Sequence, residues 1–389
     1  FGTVFGIGGT SVISRSVGDK NYDYAKKVCS FCMWGSVAVS LILCVILFLF
    51  MDPIVSLLGA SEHTFEYTKI YLVIVTFSGP FALLSSCFSN ILRAEGQATK
   101  AMTGMLLGNI TNMVLDAVFI MVFHWDIVGC ALATLIGETV GAIYYIIYYL
   151  RGQSDLGVSI RDFTLKEKIP SNVFAIGVPA ALASILMSAS SIIMNAMMSG
   201  YGDMAVAAVG VAMKINMITG MIVMGLGQGI QPLLGYCVGS NNRSRFKAYM
   251  KNSILLATGI ATALTLLTFV FLSPIIKAFL TDTTAIEYAL SFSKILLISG
   301  PFLGLFFMLV NALQAMGAGS QSLILSIARQ GIIYIPSLFI LNTVFGIDGL
   351  LFGQPVADIL SILLGCYLYA KHPGVFQNRS KSSCVATSA

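Results

Sequence analysis

Eleven apolar stretches, each bounded by charges and turn residues, decide what this chain can become. They cover residues 1–17, 28–51, 66–90, 101–123, 127–150, 171–199, 206–238, 248–272, 285–311, 321–342 and 349–370. A bilayer core takes about 20 apolar residues as a helix. Open strands cannot cross it, because their backbone polar groups would go unpaired. The expected fold is therefore an all-α polytopic membrane protein. Composition agrees: of 389 residues, 57% are hydrophobic and 10% charged, where soluble domains carry about 25% charged residues. A nucleic-acid-binding domain, a disulfide-stapled secreted fold and a soluble nucleotide-binding enzyme are excluded. The eight cysteines include one CxxC, Cys29 and Cys32, with no second pair or neighbouring His. Zinc needs about four ligands, so no metal site is expected beyond a possible Na⁺.

The basic residues fall on one side. Sixteen of the 22 Lys and Arg lie in alternate loops, such as Lys20, Lys26, Arg93, Arg151 and Arg243, and in the C-terminal tail. The opposite loops carry acids such as Asp52, Asp126, Asp203 and Asp282. Basic loops stay cytoplasmic, which places the 151–170 segment and the C-terminus inside and the protein in the plasma (inner) membrane. Arg15, Lys214, Lys294 and Arg329 remain within apolar stretches, and Tyr144, Tyr145, Tyr148 and Tyr149 read as an interfacial belt.

The chain also repeats itself. At an offset of 221 residues, Gly6 falls on Gly227 and Pro53 on Pro274, and Ser78-Gly79-Pro80-Phe81 falls on Ser299-Gly300-Pro301-Phe302. Asn90 falls on Asn311, and after one deletion Gly129 and Glu138 meet Gly349 and Asp358. The second copy has more sequence before Gly227 than the first has before Gly6. The expected intact architecture is two pseudo-symmetric six-helix lobes forming a parallel repeat, with the first helix and part of the second missing here. The lobes are drawn at 1–150 and 171–371, with a polar linker at 151–170 and a polar tail at 372–389.

Ionisable residues within spans are functional candidates by default. Asp116 has Asn112 one turn earlier on the same helix face, and Thr134 lies at similar depth on the next helix. A carboxylate, an amide oxygen and a hydroxyl form an oxygen-rich cluster that suits Na⁺ or a proton. A structural hydrogen-bond network is the competing reading. Glu138 and its repeat partner Asp358 are secondary candidates, divided between packing and function, and Lys214, Lys294 and Arg329 are possible partners for Asp358 or cavity-lining cations. Pro80, Pro179 and Pro301 are expected hinges, since each removes a helical hydrogen bond. Nine of the 18 methionines lie between Met187 and Met224. Flexible thioethers adapt to varied ligands, so Met187, Met194, Met213 and Met217 are candidate substrate-cavity residues.

Several segments together resemble the multidrug and toxic compound extrusion (MATE) family. They are GIGGTSVISRSVGDKNYDYAKK with GLGQGIQPLLGYCVGSNNRSRFK, the paired SGPF runs, NILRAEGQ with NALQAMGAG, LGNITNMVLDAVFI, and GVPAAL. The DinF-like branch is indicated through Asn112 and Asp116. The resemblance implies twelve helices around a central cavity. It implies export of cationic or amphipathic organic compounds in exchange for H⁺ or Na⁺, with no cofactor and no enzymatic activity. It also implies an N-lobe cation site at Asn112, Asp116, Thr134 and Asn90, and a monomer embedded in the lipid bilayer. The alternative is a lipid-linked oligosaccharide flippase of a related superfamily, which should line its cavity with several Arg and Lys.

Overall fold

The computed structural model describes residues 2–57, 64–152, 154, 156–157 and 159–371; the tail at 372–389 lies outside them. Fifteen α-helices follow in order: α1 (Gly2–Gly18), α2 (Tyr22–Leu49), α3 (Met51–Leu57), α4 (Phe65–Ala94), α5 (Ala98–Ala117), α6 (Asp126–Leu150), α7 (Ile169–Ser199), α8 (Asp203–Gly239), α9 (Arg243–Val270), α10 (Leu272–Phe279), α11 (Thr283–Leu297), α12 (Gly300–Ala315), α13 (Gly319–Ile327), α14 (Tyr334–Phe345) and α15 (Ile347–Ala370). A π-helical turn, Val118–Val122, prolongs α5, and another, Ala328–Ile333, joins α13 to α14. Among the described residues, nine helical segments are long and apolar enough to cross a membrane. The pair α11–α12, bent by 45°, makes a tenth.

That bend corrects one uninterrupted span. The sequence reads as a single helix over 285–311, whereas the chain breaks at Ile298-Ser299 and restarts with Pro301 in the first turn of α12. Proline is tolerated there because its missing N–H would have no partner anyway. A side chain on Gly300 would collide with Thr265, and one on Gly304 with the backbone of Thr258, so α12 presses directly on α9. The matching Pro80 sits inside an unbroken α4, and Gly79 beside it has open space. Pro179 likewise lies inside a continuous α7.

The chain divides into two compact units, Phe1–Gly177 and Val178–Ala389. The border lies inside α7 and not in the 151–170 segment. That segment belongs to the first unit: Leu156 is buried in its core, and Lys27 pairs with Glu167 at 2.5 Å.

Local geometry recurs at the repeat offset. Lys20 and Asn241 both adopt positive φ, as do Gly96 and Gly317. The next residue in each former case, Asn21 or Asn242, caps a helix by accepting from the backbone N–H three residues on. Asn90 and Asn311 each donate through Nδ2 to the carbonyl four residues earlier, at 2.8 Å. Each asparagine also fills the space that a side chain on Gly6 or Gly227 would need.

Candidate functional site

The helix pair α5–α6 is built around glycine. A side chain at Gly104 would collide with the Tyr145 ring, whose hydroxyl donates to the Ala101 carbonyl at 2.6 Å. A Cβ at Gly137 would lie 2.7 Å from the Asn112 Cβ and 2.8 Å from the Gly108 carbonyl oxygen. Without side chains at these positions the two backbones approach closely, as small residues allow in membrane helices. Asn112, one turn before Asp116, is thereby laid against α6.

Asn112 donates through Nδ2 to Thr134 Oγ1 at 3.4 Å, and Thr134 Oγ1 donates to the Cys130 carbonyl at 3.0 Å. The amide donor and the hydroxyl proton are thus both engaged. Asn112 Oδ1 and a lone pair of Thr134 Oγ1 remain as acceptors. Asp116 Oδ1 is buried and has no hydrogen-bond donor among the described residues. Leaving a buried acceptor unmet costs about 1–3 kcal/mol, so such an atom calls for an explanation. Asp116 ends α5 just before the π-helical turn at Val118–Val122. Turns of this kind cluster at functional sites.

Asn90 does not join these residues. It lies one turn from the end of α4, and its Oδ1 accepts from Arg93 Nη2 at 3.0 Å. α5 begins a short turn beyond the end of α4, and Asn112 lies far along it, roughly 20 Å down the axis. Asn90 therefore sits at the opposite depth, locked against Gly6. Glu138, one turn beyond Thr134, is half-buried and makes no hydrogen bond or ion pair among the described residues.

Asp358 also has one buried oxygen, Oδ2, with no donor among the described residues, but its charge is paired. Fully buried on α15, its Oδ1 accepts from Arg329 Nε at 2.6 Å and from Gln354 Nε2 at 3.0 Å. The Arg329 guanidinium also lies 4.5 Å from the Phe306 ring centre, a cation–π contact. Of the three cations left open as partners, Arg329 is the one that Asp358 takes.

The methionine candidates separate. Met187 and Met217 are each 53% exposed, but Met194 is 1% exposed within the second unit's core and Met213 packs against that core. Met194 and Met213 are packing residues here. The tyrosine belt is corrected in the same way. Tyr145, Tyr148 and Tyr149 are buried in the first unit's core, and Tyr149 donates to Glu95 at 2.9 Å.

Comparison with known proteins settles the family. The MatE family model matches residues 1–118 and 179–340. The chain belongs to the MATE family of membrane transporters. It is a multi-pass membrane protein and not an enzyme. Multidrug export protein MepA of Staphylococcus haemolyticus is 33% identical over 368 residues, covering 95% of this chain and 81% of that protein. MepA of Staphylococcus aureus strain MRSA252 is 33% identical over 362 residues, covering 93% and 80%. Among solved structures, a crystal structure of MATE in complex with MaL6 superposes with a TM-score of 0.92 at 21% identity, covering 97% of this chain and 85% of the other. A point mutant of the Vibrio cholerae MATE transporter VcmN gives 0.89 at 24% identity, covering 96% and 86%. These likenesses define the family fold.

Proposed function

We propose that this protein is a secondary active exporter of cationic or amphipathic organic compounds, driven by entry of H⁺ or Na⁺, and that Asp116 with Asn112 and Thr134 holds the coupling ion. The relatives named as multidrug export proteins support the export half of this reading. One observation carries the site: the buried Asp116 Oδ1 has no donor among the described residues and lies one turn from Asn112, whose amide donates to Thr134 and whose oxygen remains free to accept. A proton or a small hard cation is what Asp116 Oδ1 lacks. Na⁺ would take the Asp116 carboxylate, Asn112 Oδ1 and Thr134 Oγ1 as oxygen ligands, and H⁺ would neutralise the carboxylate alone. Asn112 and Asp116 motivate the DinF-like assignment.

The recurrent local geometry supports two six-helix lobes related as a parallel repeat. The bias of sixteen of 22 basic residues supports a cytoplasmic 151–170 segment and C-terminus in the plasma membrane. The reading takes the transporter as a monomer. A flippase for pyrophosphate-linked lipids would need a broadly basic lining. Arg329 is neutralised by Asp358, which counts against that alternative.

Export requires the ion to bind the two conformations of the transporter with different affinity. Asp116→Asn keeps the shape of the side chain and removes its titratable charge. Efflux of a cationic dye such as ethidium from proteoliposomes, under an imposed Na⁺ or pH gradient, should be lost in Asp116→Asn while dye binding persists. Thr134→Val, which removes one neutral ligand, should slow efflux several-fold. Wild-type pumping by Asp116→Asn under both gradients would place the coupling site elsewhere.

A further inference from the structure

The end of α5 carries three aromatic rings in contact. The Phe119 and Trp125 ring centres lie 5.1 Å apart and those of Phe123 and Trp125 5.2 Å apart, both pairs stacked, and Phe119 and Phe123 stand 6.2 Å apart. The backbone builds this stack. The π-helical turn Val118–Val122 puts an extra residue into the helix end. The Phe123 N–H donates to the Val118 carbonyl at 3.2 Å, and the Trp125 N–H to the Phe119 carbonyl at 2.9 Å. Between them His124 takes the left-handed conformation, φ 53°, as the residue that closes a helix C-terminus often does. The chain folds back on itself and lays Trp125 over Phe119.

The stack sits on the seam that holds the proposed ion site. Gly137 of α6 abuts Asn112, and a Cβ at Gly129 would lie 2.9 Å from the Phe119 Cβ and 3.2 Å from the Trp125 Cβ. Asp116 lies between Asn112 and Phe119 along one helix, and Thr134 between Gly129 and Gly137 along the other. Both are bracketed by close approaches of the two helices, with the rings one turn beyond Asp116. That is the end of the pair remote from the 151–170 segment, the outer end on the reading above. Phe119 is half-buried, while Phe123 and Trp125 are 52% and 46% exposed, so one sheltered ring carries two outer ones. An interfacial belt needs aromatic rings at that level. It does not need them stacked on one another and against a glycine of the neighbouring helix.

We propose that Phe119, Phe123 and Trp125 form an apolar plug at the outer end of the α5–α6 seam, which keeps outside water and ions from reaching Asp116 along it. The proposal rests on Asp116 as the coupling site and adds the residues that control access to it. An apolar constriction stops ions by excluding the water that would hydrate them. Exchange demands such a barrier. A carboxylate open to the outside in every conformation would, whenever the inside also reached it, pass ions with no drug moved. The rings are positioning residues: they act on the route to Asp116 and do not bind the ion.

Ion flux without drug isolates the plug. Proteoliposomes holding the purified protein are given a Na⁺ or a pH gradient with no dye present, and entry of radioactive Na⁺ and of H⁺, reported by pyranine, is followed. Trp125→Ala should raise drug-free entry of the coupling ion several-fold and lower the ethidium exported per ion. Ethidium binding should stay within about twofold of wild type, which reports a folded protein. Phe123→Ala removes the most exposed ring, disturbs the fold least and should leak in the same direction. Trp125→Phe should keep the flux low. Adding Asp116→Asn to Trp125→Ala should return the flux to the wild-type level, because the leaking ion passes by that carboxylate. Alanine variants that bind ethidium and leak no more than wild type would overturn the plug. So would a leak that survives Asp116→Asn, the mark of a hole in the fold, and the coupling site would still stand. Wild-type dye pumping by Asp116→Asn alone would defeat the coupling site itself, and the plug would fall with it.

Discussion

In the first unit Gly104 receives the Tyr145 ring; at the matching positions of the second, Leu325 supplies the bulk and Gly365 gives way, within 3.2–3.4 Å of a Cβ built there. The exchange runs through the whole helix pair. Gly108 of α5 falls on Arg329, Asn112 on Ile333, Asp116 on Ser337 and Thr134 on Gln354. Glu138 on α6 is half-buried and has no partner among the described residues, while its counterpart Asp358 is buried and paired with Arg329. One ancestral arrangement of two helices thus supports two electrostatic solutions. Where glycine lets the backbones touch, polar oxygens are left with capacity to spare. Where an arginine is inserted, the carboxylate is neutralised internally and has little attraction left for a travelling cation. An ion-responsive site is therefore expected in the first unit and not at the equivalent place in the second.

The largest effect should come from splitting the second unit's pair. Removing one partner of a buried ion pair costs about 3–5 kcal/mol, while replacing both by apolar residues is often neutral. Arg329→Met and Asp358→Leu should each lower the thermal unfolding temperature of the detergent-purified protein sharply, and the double variant should recover most of the loss. Two mild single variants would mean that the pair is not the neutral plug described here.

A smaller effect is expected in the first unit at Gly137, whose counterpart is Ala357. Gly137→Ala places a methyl group against Asn112 and the Gly108 carbonyl. Overpacking of this kind costs about 1–3 kcal/mol. The same thermal scan should show an intermediate drop, with ion-driven efflux impaired because Asn112 is displaced from Thr134.

The smallest effect on stability, and of opposite sign, belongs to Asp116. Its Oδ1 has no hydrogen-bond donor among the described residues, so Asp116→Leu should be neutral or stabilising by up to about 1 kcal/mol, with gradient-driven efflux abolished. A loss of stability beyond about 1 kcal/mol would show that this carboxylate is held by the fold, as Asp358 is.

These contrasts are only partly legible in the sequence. Asn112, Asp116 and Thr134 can be grouped because four-residue spacing on one helix and a short hairpin to the next fix relative depth without tertiary knowledge. The Arg329–Asp358 pair is one of three options. Its partners lie 29 residues apart, and the π-helical turn carrying Arg329 shifts the helical register on which spacing arguments depend. Met187 and Met194 cannot be told apart because they lie seven residues apart on α7, two turns along the same helix face, so periodicity gives them one environment. Asn90 misleads in an instructive way. It recurs as Asn311 together with the Gly6/Gly227 match, the mark of a packing lock kept in both halves.

The border between the compact units, inside α7, bears on the order in which the protein is made. Ile169 and Val173, in the first turns of α7, are buried in the core of the first unit, and Gly177 abuts the Val4 backbone. Met194 and Met198, farther along the same helix, are buried in the core of the second. A ribosome that has released only residues 1–150 has therefore not yet supplied everything the first core needs. That core closes only when Leu156 and the opening of α7 emerge, and the rod that completes one half is already the template on which the other half begins to assemble.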